Sequence, residues 1–90
     1  MPQEVFEGLG DEITQNEWFN QNIKPHVKRA FRFAASDGLT MYVLEIENEE
    51  RGEQYFMITK TTGGGYMKSI MKLRKRDLRL LKEVIESLLA

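Results

Sequence analysis

The carboxy-terminal run Asp77 to Leu89, DLRLLKEVIESLL, constrains this chain most, because its apolar pattern asks for more partners than a short chain owns. At ~100° per residue around a helix, Leu80, Val84, Leu88, Leu81, Ile85, Leu78 and Leu89 follow one another across about half the circumference. Arg79, Lys82, Glu83 and Glu86 hold the other half. A helix lying on one sheet needs an apolar stripe of roughly 100°, so an arc near twice that width predicts two packing surfaces. One is the chain's own sheet. The other is a second copy, docking on Leu78, Leu81, Val84, Ile85 and Leu88. The competing reading is a helix sunk in a groove of a monomer.

Length points the same way. Ninety residues make one domain, and a core that small is marginal without disulfides, metal or association. The chain has no cysteine, and its single histidine, His26, cannot build a metal site alone, so association is the remaining staple and no cofactor is expected. No apolar run approaches the ~20 residues that span a bilayer. The opening MPQEVFEGLGDE has neither a basic n-region nor an apolar h-region. These features, with the lack of cysteine, fit an intracellular, reducing location and no membrane partner.

The formal net charge of −1 conceals an asymmetry. Glu4, Glu7, Asp11, Glu12 and Glu17 give residues 1–23 a charge of −5 with no Lys or Arg, leaving +4 on the remainder. Such a split points to a polyanion partner for the basic part.

In chain order, residues 1–25 read as an acidic, partly flexible arm, and residues 26–90 as the folded domain. Asp11 is placed to cap a short helix from Glu12 to Asn20, with a flexible tail as the alternative. Trp18 and Phe19 argue that the segment packs on something. Its functional reading is an arm that lies on a basic face and competes with nucleic acid; its plain reading is a solubilising tail.

After Pro25, His26 to Ala35 alternates with Val27, Phe31 and Phe33 on one side and Lys28, Ala30 and Arg32 on the other, the mark of a strand. Ser36-Asp37-Gly38 is a turn signal. Leu39 to Glu47 is the strongest strand, and Gln54 to Thr61 returns as a third, with Phe56 and Ile58 assigned to the core and Tyr55, Met57 and Thr59 to the other side. Thr62 to Gly65 reads as a hairpin turn needing positive φ, since it lacks the lysine-serine ending of a phosphate loop. Tyr66 to Leu73 is a fourth strand, with Met67, Met71 and Leu73 inward and Tyr66, Lys68, Ile70 and Lys72 outward. The predicted fold is therefore α+β: a four-stranded antiparallel meander followed by one long helix on one face.

The face left bare by that assignment presents Lys28, Arg32, Tyr55, Thr59, Tyr66, Lys68 and Lys72, with Lys60 nearby and Arg74, Lys75 and Arg76 at the rim. Aromatics among positive charges suit single-stranded nucleic acid: charge follows the backbone and rings stack on unpaired bases, at roughly 1 to 3 kcal/mol per base. Lysine and tyrosine are also ordinary on the wet side of any sheet. The run Lys72, Arg74, Lys75, Arg76 opposes the macrodipole of the helix it precedes, a placement suited to an arriving anion.

Gly38 to Ile46, and Ser69 to Leu73 running into Asp77 to Ile85, carry a resemblance. The span from about His26 to Leu89 resembles the transcriptional coactivator positive cofactor four family, and the Whirly and Pur-alpha families share a similar strand-strand-strand-strand-helix unit. The resemblance implies paired helices, two sheets gripping single-stranded DNA, basic contacts at Lys28, Arg32, Lys68 and Lys72, and a stacking ring at Tyr55 or Phe56. Glu47, followed by acidic Glu49 and Glu50, stands where that family carries a basic residue at the end of the second strand. An acidic segment without the serines replaces its serine-rich amino-terminal region, so phosphoregulation does not carry over.

The expected function is a single-stranded-DNA-binding homodimer acting as a coactivator or accessory factor in transcription, replication, recombination or repair. That places it in the nucleus or nucleoid, with transcription or replication proteins as further partners. The alternative is a protein-interaction adaptor docking through its wide helix face or the Trp18-Phe19 arm. No Cys nucleophile, His pair or nucleophile elbow supports an enzyme. Glu45 and Glu47 share a strand face where a divalent cation has its one opening, though acidic strand ends are usually solvated.

Overall fold

The structure is a computed structural model that describes residues 4–90. Its centre is an antiparallel sheet whose strands lie in chain order: β1 (Phe6–Glu7), β2 (Val27–Ala34), β3 (Thr40–Asn48), β4 (Glu53–Thr61) and β5 (Met67–Leu73). Between β1 and β2 come two short helices, α1 (Asp11–Thr14) and α2 (Glu17–Asn22), and a 3-10 turn at Lys24–His26. The last element is α3 (Lys75–Leu89). The fold is α+β with a carboxy-terminal helix, as expected, but the sheet has five strands rather than four. The extra strand is only two residues long, pairing Phe6 with Arg32 and Glu7 with Phe31. Nothing that short leaves a period-two signature.

Strand partition follows the side-chain alternation of the sequence. The layer that covers the sheet does not. Ala30, Tyr42, Leu44, Ile46, Tyr55 and Met57 are buried together with Thr59 and Thr61, so the face expected to be bare is the covered one. Its cover is the amino-terminal segment, which inserts Ile13, Phe19 and Ile23. Ile13 and Phe19 are both 0 % exposed. The face expected to carry α3 is instead only half shielded: Phe31, Phe33, Met41, Val43, Phe56 and Ile58 are partly exposed.

Specific hydrogen bonds fix the cover in place. The Asn16 side chain caps α2 by accepting from the Phe19 amide (2.8 Å) and donates to the Gly65 carbonyl (3.0 Å). Gly65 has φ +84°, and a Cβ there would lie 2.9 Å from the Gln15 Cβ. Glycine at that turn thus serves both a left-handed backbone and a close approach. Beneath α1, the Tyr42 hydroxyl donates to Glu12 Oε1 (2.7 Å) and accepts from the Gly10 amide (2.9 Å). Residues 4–25 are therefore part of the folded unit, and the expected Glu12–Asn20 helix is broken in two around Gln15 and Asn16.

Helix α3 follows β5 after Arg74 and has no buried residue. The Asp77 side chain accepts from the Arg74 amide (3.0 Å), which quiets one donor of the first turn. Leu78 and Leu81 are partly covered, while Val84 is 54 % and Leu88 78 % exposed. The wide apolar arc read from the sequence is present and largely uncovered.

Candidate nucleic-acid interface

The basic side chains singled out by the sequence divide into two sets. Arg32 lies under the amino-terminal segment, donating to the Gly8 carbonyl (2.8 Å) beside Glu12 (3.9 Å), with its guanidinium 5.7 Å from the Phe6 ring centre. Lys28 sits at a β2 irregularity and bonds Glu47 (3.2 Å), which raises its pKa. Lys60 bonds Asp37 (2.9 Å), and this contact lowers the carboxyl pKa of Asp37. These three cations are already compensated. Tyr55 is 7 % exposed, with the Lys72 ammonium 4.6 Å from its ring centre, so it offers no stacking face to a base. Burial pushes its hydroxyl pKa up, helped by Glu53. Thr59 is fully buried, its hydroxyl donating to the Ser69 carbonyl.

The second set is brought together. Lys68 and Lys72 extend from β5, the outer strand of the sheet, and Arg74, Lys75, Arg76 and Arg79 continue into α3. All six are exposed, and among the described residues none forms an ion pair with a carboxylate. Tyr66, at 66 % exposure, stands at the head of the same edge. Arg74 is held by donating to the Gln54 carbonyl (3.0 Å). The result is a ridge of charge along one edge rather than a platform across a face. Ser69 and Met71 project to one side of β5, and Ile70 and Lys72 to the other.

Strand parity alone could not choose between these arrangements, since both sides of β4 are apolar enough to be core. Arg29 went unremarked in the sequence; its guanidinium lies 4.9 Å from the Phe31 ring centre and 3.8 Å from Glu7. The signal that could have flagged it is its charge inside an otherwise apolar alternation. Of the five residues expected at a dimer contact, Leu78, Leu81 and Ile85 line a cleft of about 590 Å³ between α3 and Phe56. Val84 and Leu88 lie outside that lining and are exposed. Glu45 and Glu47 do share a strand face, with Glu47 held by Lys28. Among the described residues, no group of three or more His, Cys, Asp or Glu side chains is arranged to hold a metal ion. No helix among them is long and apolar enough to cross a membrane. Compared with known proteins, the chain matches no protein-family model, no curated protein and no solved structure.

Proposed function

We propose that the chain is a single-stranded nucleic-acid-binding homodimer, joined through α3 and gripping the strand along β5 and the start of α3. The observation that carries this is the ridge of uncompensated cations from Lys68 to Arg76 with exposed Tyr66 at its head. Lysine and arginine there neutralise phosphates with release of counterions. Tyr66 supplies one stacking face for an unpaired base, which a duplex keeps within its stack. The resemblance to the positive cofactor four family supports the same assignment, with its basic contacts narrowed to Lys68 and Lys72. A role as coactivator or accessory factor in transcription, replication, recombination or repair follows from that reading.

Fluorescence anisotropy with a labelled oligonucleotide, single and double, across a salt series tests it. The expected result is preference for the single strand and a log–log slope that shrinks by about 0.7 for each phosphate contact removed. Lys68→Glu with Lys72→Glu weakens binding and leaves the far-ultraviolet dichroism unchanged. No binding by the wild type at low salt overturns the proposal. The exposed apolar surface of α3 favours a second reading, an adaptor for another protein, for which the chain sediments as a monomer.

A further inference from the structure

The open face of the sheet has a centre as apolar as α3. Phe31, Val43, Ile58 and Met71 stand opposite one another in register across β2 to β5. None of the four is buried, and Met71 is 52 % exposed. The cations on the strands of this face are matched within the chain: Lys28 with Glu47, Arg29 with Glu7, and Lys60 with Asp37. A nucleic-acid strand requires unmatched cations, so this face does not suit one. It suits itself. Two-fold association sets a patch against its own copy, where any uncompensated charge near the axis meets its like. An apolar centre ringed by internally neutralised pairs meets that condition.

Helix α3 adds an orientation. Arg79 and Lys82 lie in its middle, followed by Glu83 and Glu86. Antiparallel α3 helices place each acidic half against the partner's basic half, and parallel helices set like charges together. The cleft of about 590 Å³ between Phe56 and α3 is open to receive partner side chains. With strands ~4.8 Å apart and ~3.3 Å per residue, four strands of about six residues and a ~22 Å helix offer roughly 600 Å² in projection. Side-chain relief raises the accessible area toward the ~800 Å² per partner of a stable interface.

We infer that the second copy is seated on the open sheet face as well as on α3, with the two α3 helices antiparallel. This rests on the homodimer part of the proposed function. Sedimentation over a concentration series is paired with hydrogen peroxide oxidation of the methionines, read by mass spectrometry. Met71 and Met41 are protected at concentrations where the dimer forms and oxidised on dilution or in Val84→Asp; Met57, 0 % exposed, is slow throughout. Ile58→Asp weakens self-association at least 100-fold with unchanged dichroism. A dimer in which Met71 oxidises at the same rate at every concentration overturns the inference and leaves the helix-only dimer standing. A monomer at all concentrations overturns both, while oligonucleotide anisotropy reports on the β5 ridge independently.

Discussion

Replacing Phe19 with alanine tests whether the amino-terminal segment belongs to the core. Phe19 is 0 % exposed and packed among Ile13, Ile23 and the apolar side chains of the covered sheet face. Truncating a buried phenylalanine costs about 3–5 kcal/mol, lost transfer energy and cavity together. A chain of this length is stable by on the order of 5–13 kcal/mol, so the substitution removes a quarter or more of the total. With a urea m-value of about 1–3 kcal/mol/M, the midpoint falls by at least ~1 M. Trp18, next in sequence but 51 % exposed, is the control: Trp18→Ala costs under about 1 kcal/mol. Urea titrations of both variants, followed by dichroism at one fixed protein concentration, separate the cases, since association shifts apparent stability by mass action. If Phe19→Ala unfolds at the wild-type midpoint, the segment is not part of the cooperative unit and the covered face has been misidentified.

Two further changes probe the clasp beneath α1 and the turn after β4. The Tyr42 hydroxyl, aided by Arg32, holds the Glu12 carboxyl below its usual value of 4.5 against the opposing effect of burial. A lowered folded-state pKa adds stability above that value, which is lost as pH falls through and below it. The melting-temperature gap between wild type and Glu12→Gln is therefore open at neutral pH and closes on acidification; a gap constant from pH 7 to pH 3 refutes the assignment. Gly65→Ala puts a side chain at φ +84° and 2.9 Å from the Gln15 Cβ, costing at least ~1–2 kcal/mol. Its melting temperature drops by about 4–8 °C per kcal/mol. Gly64→Ala, with nothing within 4 Å of the new Cβ, melts with wild type, and equal behaviour of the two refutes the close-approach argument.

The four long strands and α3 were legible because each carries an unbroken period, of two in Thr40–Asn48 and near 3.6 in Lys75–Leu89. Which side of the sheet is covered was not legible. In β4, Tyr55, Met57, Thr59 and Thr61 alternate with Phe56 and Ile58, and hydrophobicity does not rank one set above the other. The deciding contacts come from Ile13, Phe19 and Ile23, spread over three short elements too brief to show periodicity. Acidity concealed the segment further, since Glu12 reads as a solvated charge until Tyr42 and Arg32 are placed against it. The site suffered from the same inversion. Lys68, Lys72 and Arg74 survive as candidates because an outer strand is exposed on either assignment, whereas Tyr55 depended on the face.

The meander order of the sheet also bears on how the chain reaches its native state. The connections joining β2 to β5 are only four or five residues long, whereas 19 residues separate β1 from β2. Loop-closure entropy rises with length, and non-local contacts are reached more slowly. The hairpins therefore zip up ahead of the lid formed by α1 and α2, leaving a nascent ribbon greasy on both sides. One side is then quenched from within, by the polypeptide's own beginning, and the other by encounter with a twin, so productive assembly and clumping draw on the same short-lived species.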